Sequence, residues 1–153
     1  MQATKQDIQH LNAAYAGRRV FHGELHDHAK TGGTSDGRCT LELWRREMEW
    51  LEMDFAGIRM TMGDTKMGGQ CDFTGKRLVF SVGDFHKSIL RPGHDYRVDL
   101  LSDKGEVFRC PVTPSEMLYF AIDADPGCKY YWAEVHDDTQ KLRIAIGNPI
   151  WNK

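Results

Sequence analysis

The residues best suited to chemistry in this chain are His26 and His28, in the stretch "ELHDHAKTGGTSDGR". Side chains two apart on a strand point to the same face, so both imidazoles can converge on one ion. Neutral imidazole suits zinc, iron, manganese or nickel. Asp36, in the following loop, can swing back as a ligand or as a partner that orients one. Glu24 shares the parity of the two histidines one pleat deeper, and Asp27 points the other way. By spacing alone, the pair reads more readily as two strand-end histidines facing water, because firm sites use three or four protein ligands.

Other chemical groupings are weaker. Asp84 and His86 form a D-x-H inside "LVFSVGDFHKSILRPG". Glu134, Asp137 and Asp138 lie near His136, where they would bind a cation or simply form a solvated hairpin turn. Tyr119, Phe120, Tyr130, Tyr131 and Trp132 fall in strand-like runs. Alternation along a strand sends some of these rings out of the core. There they would pack across strands or line a carbohydrate- or protein-binding face. Nucleophile-elbow, P-loop, H-E-x-x-H and dinucleotide-binding patterns are missing from the sequence. Cys39, Cys71, Cys110 and Cys128 form no C-x-x-C pair and read as isolated reduced thiols.

The elements that must position these residues change character along the chain. Residues 4–16 predict a short helix. Thr4 and Asp7 give its start signal, and Ile8, Leu11 and Tyr15 recur at helical spacing. Residues 18–26 predict a strand, and "KTGGTSDGRC" a loop. Residues 41–54 predict a second helix capped by Thr40, with Leu41, Trp44, Met48, Leu51 and Phe55 in one apolar stripe. "FAGI" then opens a second buried strand, so the chain begins as α-β-α-β. "MGDTKMGGQCDFTG" reads as a loop, with a seam near residues 56–62. From Arg77 onward six strands are expected: "RLVFSV", "DYRVDLL", "EVFRCPV", "MLYFAID", "KYYWAEVH" and "LRIAIGN". Turn-forming stretches separate them, as in an antiparallel sandwich or barrel. Asp103-Lys104-Gly105 marks a hairpin.

With 153 residues, 41% of them hydrophobic and 27% charged, the chain has the composition of a globular protein of one domain or two small ones. A net charge of −2 gives no basic field for nucleic acid or for an acidic membrane surface. No apolar run approaches the ~18 residues of a membrane span. The first residues contain no secretory core, so the expected compartment is cytoplasmic.

The segment from His22 to Ile58 resembles the first βαβ unit of the polymerase-and-histidinol-phosphatase (PHP) superfamily. That family opens on L-H-x-H-T, continues with S-D-G, and then runs through a helix to G-(L/M)-D-F and a buried strand. Here Leu25, His26 and His28, then Ser35-Asp36-Gly37, then Met53-Asp54-Phe55 match in order, with Ala29 in the usual threonine position. The C-terminal "IAIGNPI", Ile144–Ile150, resembles the closing strand of the β-rich tail of some PHP-type proteins. The family's T-D-H after the second strand is replaced by Arg59-Met60-Thr61-Met62.

The expected fold is therefore α+β: a PHP-like α/β unit over residues 1–58, then an antiparallel β-sandwich of about six strands over 59–153. The resemblance implies a metal-dependent phosphoesterase, a hydrolase of phosphorylated small molecules. Its divalent zinc, manganese or iron would be held by His26, His28 and Asp36, in a site that lacks its usual partners and is degenerate as a catalyst. The alternative is a non-catalytic binding or interaction module, self-associating as a homo-oligomer in one version.

Overall fold

The computed structural model describes residues 2–16, 57–83, 90, 92–113 and 116–153. The expected strand 18–26, the helix 41–54, the ligands His26, His28 and Asp36, and the Asp84/His86 pair lie outside the described residues.

The described residues form one helix and ten strands: α1 (Lys5–Tyr15), β1 (Gly57–Met62), β2 (Thr65–Lys66), β3 (Gln70–Cys71), β4 (Arg77–Gly83), β5 (Tyr96–Ser102), β6 (Gly105–Val112), β7 (Met117–Asp123), β8 (Tyr130–Asp137), β9 (Leu142–Ile146) and β10 (Ile150–Asn152). They build two sheets that do not close into a barrel. The four-stranded sheet runs β2-β1-β4-β7. The six-stranded sheet runs β3-β10-β8-β5-β6, with β9 also paired to β8. All pairings are antiparallel except β3 with β10.

Period-two alternation explains how the sheets meet. Met60, Met62, Leu78, Phe80, Val82, Phe120 and Ile122 of the smaller sheet share one buried cluster with Val98, Leu100, Tyr131, Ala133, Val135 and Ile150 of the larger. Phe80 and Phe120 of one sheet touch Phe108 of the other, at centroid distances of 6.1 and 4.8 Å. The hairpin expected at Asp103-Lys104 joins β5 to β6. Gly105 follows it at φ 110°, which a side chain would resist.

Helix α1 starts where the sequence places it. The Thr4 hydroxyl accepts from the Asp7 N–H (3.2 Å), and the Asp7 carboxylate accepts from the Thr4 N–H (2.8 Å). The helix lies on the outer side of the four-stranded sheet. There Leu11 is buried against Val79 and Ala121, and the Tyr15 hydroxyl donates to the Met60 carbonyl (2.8 Å).

Three local expectations are corrected. Gly57 and Ile58, read as part of a parallel α/β strand, open β1, which pairs antiparallel with β4 along its whole length. The division placed between residues 58 and 59 therefore falls inside a strand. The stretch read as a loop carries β2 and β3, two residues each. The terminal run "LRIAIGNPIW" is two strands along the same edge of β8. They part at Gly147–Pro149, where the Gly147 N–H still donates to the Ala133 carbonyl (2.8 Å).

Candidate functional site

Register turns the outer side of the six-stranded sheet into rows. Side chains of β5 and β8 that do not enter the core are Arg97, Asp99 and Leu101, and Tyr130, Trp132, Glu134 and His136. Pairing across the sheet sets Tyr130 beside Trp151, and Trp132 beside Leu101. A third row runs Arg109, Asp99, Glu134, Ile146. A fourth runs Pro111, Arg97, His136, Arg143. One end of the face is thus aromatic and the other ionic.

In the ionic rows, Asp99 and Glu134 are only 4% and 8% exposed although they lie on the outer side. The Nε–H of Arg109 (2.8 Å) and the Nε–H of Arg97 (3.1 Å) donate to Asp99. Burial pushes the Asp99 carboxyl up, but these two guanidinium contacts outweigh it and hold the group below the usual carboxylate range. Glu134 accepts from the Trp132 Nε1–H (3.0 Å), Arg143 (2.9 Å) and His136 Nε2 (3.1 Å). Because the carboxylate can only accept, His136 carries a proton on Nε2. That same nitrogen lies 3.7 Å from Asp99. Arg97 also pairs with Asp138, and Arg109 with Glu106.

Chemically, the two acids of this network are poorly suited to proton transfer. A general acid must hold a transferable proton, whereas Asp99 is kept ionised and both acids spend their lone pairs on neighbouring donors. The cation grouping considered around His136 is not assembled. Asp137 points away from Glu134 and His136 and accepts from His94 Nδ1–H (2.7 Å), while Asp138 pairs with Arg97. Among the described residues, no group of three or more His, Cys, Asp or Glu side chains could hold a metal ion.

The aromatic end is built from Tyr130, Trp132 and Trp151. Tyr130 lies 5.5 Å from Trp132 with planes at 48°, and 4.9 Å from Trp151 with planes at 65°. Trp151 is 44% exposed. Of the aromatics singled out in the sequence, Phe120 and Tyr131 enter the core, while Tyr119, Tyr130 and Trp132 stay outside the shared core cluster. The sequence reading had Glu134, His136, Tyr130 and Trp132. It missed Asp99, Arg97, Arg109, Arg143 and Trp151, which strand pairing alone brings beside them.

No protein-family description matches the chain, and no curated protein matches it either.

Proposed function

We propose that this chain works as a non-catalytic binding module whose ligand surface is the outer face of the six-stranded sheet. The observation that carries the reading is the aromatic trio. Three rings cluster beyond the core with Trp151 at 44% exposure, next to an ionic network that locks the rest of the face in place. Large amphipathic rings on a rigid support supply contact area at little entropic cost. The test is thermal melting of the wild type and Trp151→Ser, with and without neutral glycans, anionic polymers and peptides. Without ligand, Trp151→Ser is expected to cost less than ~1 kcal/mol, the range of exposed substitutions. A ligand-induced rise in Tm present in the wild type and absent in the variant supports the face. A loss above ~2 kcal/mol without ligand makes the cluster structural, like a buried aromatic, and overturns the reading.

The second reading, a PHP-type metal-dependent phosphoesterase-like protein, is favoured by the ordered motif from Leu25 to Phe55. His26 and His28, with Asp36 in support, would hold the ion, which in such a site activates a water for attack on phosphorus. Elemental analysis and p-nitrophenyl phosphate hydrolysis, comparing wild type with His26→Ala/His28→Ala, decide it. Absence of a bound transition metal together with unchanged background turnover ends it.

A further inference from the structure

Resting on the binding-module reading, we propose that the aromatic end of the six-stranded sheet binds a single uncharged glycan chain. Sugar rings present C–H faces that pack on Trp and Tyr, and their hydroxyls need fixed polar partners beside the rings. Both are present here. Tyr130, Trp132 and Trp151 form the apolar half. Arg143, whose side chain is 55% exposed, spends one guanidinium nitrogen on Glu134 and keeps others for hydroxyl oxygens.

The charge pattern selects an uncharged partner. Arg97, Arg109 and Arg143 are each already paired with an acid among Asp99, Glu106, Glu134 and Asp138. A nucleic acid would also stack on the rings, but its affinity comes from unneutralised cations along a groove. A second copy of this chain would have to dehydrate the same ion pairs, a cost that their mutual attraction need not repay. Glycan hydroxyls can bond to them in place of water. Ring geometry selects the shape of the ligand. Planes tilted by 48° and 65° cannot all lie flat on one surface, so they suit successive units of a turning chain better than a crystalline sheet of polymer.

The experiment is titration calorimetry of the full chain with soluble neutral oligosaccharides of glucose, mannose and xylose, with polygalacturonate as the charged control. The variants are Trp151→Ala, Tyr130→Ala and, as an exposed control elsewhere, Leu142→Ala. Expected is binding of a neutral oligosaccharide that added salt leaves unchanged, lowered about tenfold by Trp151→Ala, equivalent to ~1.4 kcal/mol, and unaffected by Leu142→Ala. The glycan proposal is overturned if no neutral oligosaccharide binds the folded wild type, if polygalacturonate binds more tightly, or if Trp151→Ala leaves affinity unchanged. Sedimentation velocity adds one outcome. Self-association that depends on Trp151 sinks the glycan while leaving the face a binding surface, whereas the stability loss described above sinks the face itself.

Discussion

Asp99 shows how much a neighbouring strand can change the meaning of one side chain. A carboxylate in a strand is ordinarily a solvated surface group, yet this one is nearly buried and stays ionised because Arg109 reaches it from β6 and Arg97 from its own strand. Asp137 behaves alike. Burial pushes it up, and the bonds from His94 and the Gln140 N–H bring it below its ordinary value. The sign of the pH dependence follows. In the unfolded chain both acids take up protons near the ordinary ~3.9, whereas the folded chain holds them ionised to lower pH. They stabilise the fold above ~3.9 and that stability is lost as pH falls through their lowered folded values. Urea midpoints should therefore be insensitive to pH near neutrality, where both acids contribute fully, and drop in acid, with a shallower drop in Asp99→Asn. Equal slopes in wild type and variant would remove Asp99 from the account. Thr61 and Ser81 present the opposite case. Their hydroxyls are fully buried and have no hydrogen-bond partner among the described residues. Ser81→Ala should be neutral or raise stability by ~1 kcal/mol, since an unpaired buried hydroxyl carries a desolvation penalty. A clear loss in the urea midpoint would show that the hydroxyl has a role.

Helix α1 and strand β4 explain each other. β4 is buried at six of its seven positions because its two faces meet different partners. Leu78, Phe80 and Val82 enter the core between the sheets, and Val79 sits under Leu11 of α1. The helix itself buries only Leu11 completely, so its local start signal carries much of its stability. Thr4→Ala should cost about 1 kcal/mol. Hydrogen exchange should report it as faster exchange of α1 amides, with β4 and β8 unchanged. An equal effect on the sheets would mean that the helix opens only when the whole body unfolds. The start at Thr4 was readable because capping is a contact within four residues. The surface that α1 covers was not, because it is assembled from β1, β4 and β7, strands far apart in the chain.

Across the body as a whole, the junction of the sheets is aromatic. Phe80 contacts Phe120 of its own sheet and Phe108 of the other, at 5.1 and 6.1 Å. Phe80→Ala should cost ~3–5 kcal/mol, the range for a buried aromatic truncated to alanine. Because one core serves both sheets, tryptophan fluorescence and far-UV circular dichroism should lose their signals in one shared transition. Separate midpoints would show that the sheets unfold independently.

Much of the β-rich half was legible in the sequence. Alternation and turn residues placed β4 to β9 within two residues of their ends, and β7 at both ends, because those signals are local. The same alternation required some of the rings to leave the core, and the structure decides that Tyr130 and Trp132 do so while Tyr131 enters it. Strands β2, β3 and β10 carried too few residues for any period to show. Their pairing, such as Gln70 and Cys71 with Trp151 and Asn152, joins opposite ends of the described β body. The candidate site divides in the same way. Glu134 and His136 share a face by their spacing within one strand. Asp99, Arg97, Arg109, Arg143 and Trp151 reach that face through the register of four other strands, and register depends on the packing of the whole chain.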